Sequence, residues 1–280
     1  MKTRNRVATA ACVMIGNVLP VALAHEYWLE PETYRPKCNS VVRVRMALGE
    51  RFAGGPSVYD PDHVAKFELV GPEGASAVRG RSGGLTSFAR VSGEGTYVLG
   101  YHTKRTFHKM DAAPFEAYLI EEGLAPIVAE RKKLGESEMT GREAYSRCAK
   151  SILTVGQADD GFQRRLGYPL EIMAEQNPAT ARAGQAFAIR LLHEGKPLAD
   201  STVVAVSRDR PSRLLKAQTN ADGVASFTLP EAGVWMVTAI HMLRVTDGAA
   251  ADWESSWASL TFEVPGESDA QPSAAVGTKS

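Results

Sequence analysis

From Ser40 onward, apolar and charged residues alternate. Val42, Val44 and Met46 fall on one side and Arg43 and Arg45 on the other, the period-two pattern of a half-buried strand. Similar short runs follow at 66–70, 86–91 and 96–101, bounded by Gly, Pro, Ser or Asp, with Gly93-Glu94-Gly95 as a tight turn. They predict a small antiparallel β unit over residues 25–110. Near Pro114 the period changes. Phe115, Tyr118 and Leu119, then Leu124, Ile127 and Val128, recur at helical spacing with a break at Gly123-Leu124. Thr140-Gly141-Arg142-Glu143 has the form of a capping box, which predicts a further helix to about Lys150 before strand character returns at 151–155. Residues 111–165 are therefore read as a helical insert with a connecting strand. A second β unit, 166–265, carries runs at 170–174, 186–192, 202–207, 225–229, 234–241 and 259–264, the spacing of an immunoglobulin-like sandwich. Asn220-Ala221-Asp222-Gly223 suits a hairpin turn within it. The expected fold class is mostly β: two β-sandwich-like units with a short helical insert between them.

The two ends of the chain have a different character. Lys2, Arg4 and Arg6, a short apolar run from Val7 to Val21, and Ala22-Leu23-Ala24 together read as a signal peptide over 1–24, cleaved after Ala24. The apolar run is shorter than the roughly 20 residues of a bilayer span and contains Asn17 and Pro20. No second segment approaches spanning length, so the mature chain is expected to be periplasmic and without a membrane span. Residues 266–280 are small and polar and read as a disordered tail. Cleavage leaves Cys38 and Cys148. In an oxidising compartment these form either one long-range disulfide or two separate thiols, depending on whether their Cα atoms come within about 7 Å.

With 32 basic and 32 acidic residues the chain carries no basic footprint for nucleic acid. Nothing matches a P-loop, a dinucleotide fingerprint, a G-x-S-x-G elbow or an H-E-x-x-H helix, and the chain is not expected to be an enzyme. The candidate chemistry is metal binding. Cleavage after Ala24 makes His25 the first residue, with an α-amine and an imidazole on one backbone unit. These nitrogen donors suit Ni²⁺, Co²⁺, Cu²⁺ or Zn²⁺ better than Mg²⁺ or Ca²⁺. Tyr27 stands where the three-residue copper and nickel amino-terminal site has His, so a distant ligand is required. His102 and His108 are secondary candidates, although Lys104, Arg105 and Lys109 around them oppose a cation. His63 and His193 read as surface turn residues.

The phrases AHEYWLEP, YLIEEGL, YSRCAKSILTVG, LGYPLEI, NPATARAGQAFAIRLLHEGKPLADSTVVAV and SLTFEV resemble the periplasmic family of unknown-function domains often labelled as nickel or cobalt uptake components. TNADGVASFTLPEAGVW is similar to the turn and strand pair of carboxypeptidase-regulatory or collagen-adhesin immunoglobulin-like modules. The first resemblance implies handling of a divalent transition metal together with a membrane metal transporter supplied by other chains. It also places a His after the strand GVWMVTAIH, making His241 the expected partner of His25, with Asp247, Asp252 or Glu254 nearby as oxygen ligands or supports and Trp253 and Trp257 as cover. Cys148 stands where the family has an aromatic residue and Cys38 near an expected Gly, which favours their pairing as a local addition. The resulting expectation is a soluble periplasmic nickel or cobalt binding protein for uptake or delivery. Two alternatives stay open: a copper chaperone or resistance protein using the same ligands, and a non-metal β-sandwich interaction module of the envelope.

Overall fold

The computed structural model describes residues 26–246 and 250–266. Residues 1–25, where the expected leader and His25 fall, residues 247–249 with Asp247, and residues 267–280 of the expected tail lie outside them. The first unit supplies β1 (Glu26–Pro31), β2 (Ser40–Glu50), β3 (Ala53–Pro56), β4 (Val64–Gly71), β5 (Gly74–Ala77), β6 (Arg79–Gly80), β7 (Ser87–Val91), β8 (Gly95–Thr103) and β9 (Thr106–Met110). Helices α1 (Ala112–Glu121) and α2 (Ala125–Lys133) follow, then β10 (Gly141–Val155). The rest of the chain forms β11 (Leu170–Ala174), β12 (Ala186–His193), β13 (Lys196–Pro197), β14 (Thr202–Ser207), β15 (Arg210–Gln218), β16 (Val224–Thr228), β17 (Gly233–Arg244) and β18 (Trp253–Val264).

These strands build three layers. The central sheet has nine strands in the order β15-β14-β17-β18-β10-β8-β4-β5, with β9 also on β10. An amino-terminal sheet (β1-β2-β7-β6, with β3 on β2) covers one face, and a carboxy-terminal sheet (β11-β12-β13, with β16 on β12) covers the other. The fold is mostly β, and its two sandwiches share a layer. Pleating decides which side chain goes where. From β8 and β10, Tyr97, Leu99, Tyr101, Ala149 and Leu153 join Val42, Val44 and Met46 in one core, while Val98, Cys148 and Ile152 join Ile172, Ile189 and Phe187 in the other. The two halves of the chain meet where β10 pairs with β18 in parallel, from Glu143 opposite Trp253 to Ser151 opposite Thr261.

The expected helix from Thr140 to Lys150 is instead the first two-thirds of strand β10. Glu143 does not reach back to a cap; its carboxylate is buried and accepts from Tyr118 and Ser255. Because β10 is covered on both faces it lacks alternation, and the local capping signal is overridden by neighbours β9, β8 and β18. Both insert helices stand where the periodicity places them, broken at Gly123 with φ +73°. The Asn220 turn forms, with Asn220 Oδ1 accepting from the backbone of Asp222 and Val224. It joins no hairpin: it carries the chain from β15 in the central sheet to β16 in the carboxy-terminal sheet.

The expected disulfide is also corrected. Cys38 and Cys148 are free. Cys38 lies exposed in the turn before β2, its Sγ 3.3 Å from the Ser92 carbonyl, whereas Cys148 is buried facing the carboxy-terminal sheet. The central sheet therefore stands between them.

Candidate functional site

β1 lies across the central sheet, and its carbonyls at Tyr27 and Leu29 accept hydrogen bonds from Ser259 Oγ (2.7 Å) and Thr261 Oγ1 (2.9 Å) of β18. This ties the start of the described chain to the sheet face. On that same face α1 and α2 bury Phe115, Tyr118, Leu119 and Ile127 against Met242, Trp253 and Trp257. The amino-terminal sheet and the helical pair leave a seam between them. It opens as a small cleft of about 120 Å³, room for an ion or a few waters rather than for a large ligand.

Glu26 and Glu50 come to the seam together because β1 and β2 are antiparallel, with Glu26 opposite Gly49. The carboxyl end of α1 adds Glu121 and Glu122, and Trp257, Ile240 and Thr238 line the sheet side. Glu26 accepts from the Arg51 backbone N–H. Burial, then the charges of Glu121, Glu26 and Glu50, push the Glu122 carboxyl up to about 8. A cation arriving among these carboxylates would offset the repulsion that adds to the effect of burial on Glu122. Arg51 and Lys216 on the rim supply partial balance. Nearby, Arg147 is buried with its guanidinium 5.4–5.6 Å from the ring centres of Tyr27, Tyr145 and Trp257, and the loss of water lowers its pKa.

Behind Trp257 lies a buried polar cluster. Trp257 Nε1 donates to Ser255 Oγ at 3.2 Å, Ser255 donates to Glu143, and Tyr118 donates to the same carboxylate oxygen at 3.2 Å. His108 Nε2 stands 3.3 Å from the other oxygen. Burial raises Glu143 to about 7, with the Ser255 and Tyr118 hydrogen bonds acting against the rise, and burial lowers His108. This cluster locks α1, β9, β10 and β18 together and sits too deep to meet a ligand in the cleft.

The predicted metal ligands are scattered. His241 points to the opposite face of the sheet from the seam: Ile240 and Trp257 face the helices, while His241 lies against His193 with ring centres 4.5 Å apart and planes inclined at 60°. Burial, then the adjacent His193, lower His241 to about 4, so it is uncharged at neutral pH. His25 lies outside the described residues; Glu26, the residue after it, lines the seam. His102 packs on Tyr168, three strands from β17 or about 14 Å by strand spacing, and is lowered by burial and by Lys66 and Arg105. His108 is on the seam side. Asp252 pairs with Arg142, and Glu254 with Arg105, rather than supporting His241. Among the described residues, no three His, Cys, Asp or Glu side chains gather closely enough to hold a metal by themselves.

A family described as "Domain of unknown function (DUF4198)" matches residues 22–243. The chain belongs to the DUF4198 family. No curated protein matches it. Among solved structures, this DUF4198 chain is similar to the D0-D1 domain of intimin at 15% identity, over 84% of this chain and 96% of that one, with a TM-score of 0.21. It is similar to a tetra-tandem repeat in the extending region of a large adhesion protein at 10% identity (86% and 50% covered, TM-score 0.19). It is also similar to trypsin-activated alpha-2-macroglobulin from Escherichia coli at 8% identity (84% and 15% covered, TM-score 0.21).

The residues of the DUF4198 chain that sequence reading overlooked are Glu50, Glu121 and Glu122 in the seam, the caged Arg147, and His193 beside His241. Only Glu121-Glu122, ending an apolar helix at a Gly break, left a local trace. The others meet through strand pairing and sheet packing between segments far apart in the chain, for which no motif exists. No helix among the described residues is long and apolar enough to cross a membrane.

Proposed function

We propose that this DUF4198 protein is an exported binding protein for a divalent transition metal, nickel or cobalt in the first instance, held at the mature amino terminus over the seam. The observation that carries the reading is the cleft that gathers Glu26, the residue after His25 in the sequence, with Glu50, Glu121 and Glu122. After leader removal, the His25 amine and imidazole would supply nitrogen and the seam carboxylates oxygen, a mixed donor set that suits Ni²⁺, Co²⁺, Zn²⁺ and Cu²⁺. The protein would then carry or buffer the ion in the periplasm for a membrane transporter, with no chemistry of its own. A copper chaperone would use the same donors, and raw affinity favours Cu²⁺ in either role.

A second reading, an envelope interaction module, draws on the open edge of the central sheet at β15, whose first four residues are exposed. The two readings separate in one experiment. Leader-processed protein, with His25 verified as its first residue by mass spectrometry, is titrated with Ni²⁺, Co²⁺, Cu²⁺ and Zn²⁺ beside a form carrying one extra Ala before His25. The metal reading expects a tight site that the extension abolishes and that Glu122→Gln with Glu50→Gln weakens. Equal binding by both forms refutes the amino-terminal site.

A further inference from the structure

We propose that His193 and His241 form a transition-metal site of their own, on the face of the central sheet away from the seam. There, two imidazoles bind one Cu²⁺ or Zn²⁺ ion and water completes its coordination. The geometry sets two imidazoles side by side. His241 stands on β17 opposite Ser256 of β18, two residues beyond Ala239, where pairing with β14 ends. His193 ends β12 opposite Leu170, and the next backbone N–H, of Glu194, donates to the Pro169 carbonyl at 2.8 Å. The two residues thus come from different sheets that close on one apolar core, so little backbone freedom remains to be lost on binding.

Their ring centres are 4.5 Å apart and inclined at 60°, and both side chains are half-buried, open to an ion from solvent. Two imidazole nitrogens sharing a metal at about 2.0–2.1 Å lie about 3 Å from each other, a separation that rings at this distance reach by small side-chain rotations. Uncharged imidazole is the form that binds Zn²⁺, Cu²⁺ and Ni²⁺. Ser256 and Ser146 follow His241 across β18 and β10 on the same face, and the Ser146 hydroxyl is buried with no hydrogen-bond partner among the described residues. By contrast, His102 on that face has Lys66 and Arg105 near it, which repel a cation.

This site does not rest on the amino-terminal one, and the test keeps the two apart. The Ala-extended protein, in which the His25 amine is blocked, is titrated with Cu²⁺ and Zn²⁺ by calorimetry. It should bind one ion, with affinity at least tenfold lower in His193→Ala and in His241→Ala and unchanged in His102→Ala. Because His241 is half-buried, the same titration is followed without any substitution by the imidazole ¹⁵N signals. Zn²⁺ should shift those of His193 and His241 and leave His102 and His63 in place. An extended protein that binds no ion, or alanine variants that bind as well as their parent, would overturn the proposal, and so would ¹⁵N shifts confined to other histidines.

Discussion

Replacing Glu171 by Gln strips the charge partner from Lys150, a lysine 2% exposed between the central and carboxy-terminal sheets. Lys150 Nζ donates to Glu171 Oε1 at 2.8 Å and lies 3.2 Å from Met173 Sδ. Glu171 also accepts from the backbone N–H of Leu166 (2.7 Å) and Gly167 (3.2 Å), pinning the turn before β11. Burial already lowers the Lys150 pKa, and Glu171 is the main influence opposing that fall. Breaking a buried pair from one side costs about 3–5 kcal/mol, which for a domain of this size lowers the melting point by roughly 10 °C or more. In Glu171→Gln the stranded lysine sheds its proton in the folded state and regains it on unfolding. The unfolded state then binds more protons, so the variant's stability should rise with pH toward the unfolded lysine value, by about 1.4 kcal/mol per unit wherever folded Lys150 is neutral. Lys150→Met, which leaves Glu171 its two backbone donors, should cost less. Urea unfolding of both variants and the parent at pH 6 and pH 9 measures all of this. A Glu171→Gln loss below 1 kcal/mol, or one equal at the two pH values, would refute the reasoning.

Glu143, raised from 4.5 to about 7, takes up a proton on folding between those values. Its contribution is therefore full below the unfolded pKa and lost as pH rises through 7, about 3 kcal/mol in all. Glu143→Gln, which keeps an acceptor for Tyr118 and Ser255, should remove that slope. Denaturant midpoints at pH 5 and pH 8, compared with the parent so that the opposite trend from His108 cancels, should differ less in the variant. Cys38 should react with a thiol reagent in the native protein, while Cys148, its thiol pushed up to about 12 by burial, should react only on unfolding. Two thiols blocked at once, or none until a reductant is added, would contradict the free pair.

Repeating short-range patterns were legible. Strands β11 and β14 occupy the residues that alternation and turn signals mark, and α1 and α2 follow the spacing of Phe115, Tyr118, Leu119, Ile127 and Val128. Strand β15 escaped notice because it is an exposed edge without an apolar side, and β10 misled because it is buried on both faces while carrying Glu143, Arg147 and Lys150 among its buried residues. The site was less legible than the fold. His241 was singled out, yet its neighbour proved to be His193, from a strand end read as surface.

The amino-acid sequence by itself determined that the chain is mostly β with a two-helix insert and carries a leader-like start, because each depends on residues within a few positions of one another. Only the tertiary structure decided that the two β units share one central sheet, that Cys38 and Cys148 stand on opposite sides of it, and that Glu26, Glu50, Glu121 and Glu122 line one seam with the caged Arg147 nearby. Those outcomes depend on which strands pair and in what register. A one-residue change of register turns every side chain to the other face, and that choice is made by the whole core at once.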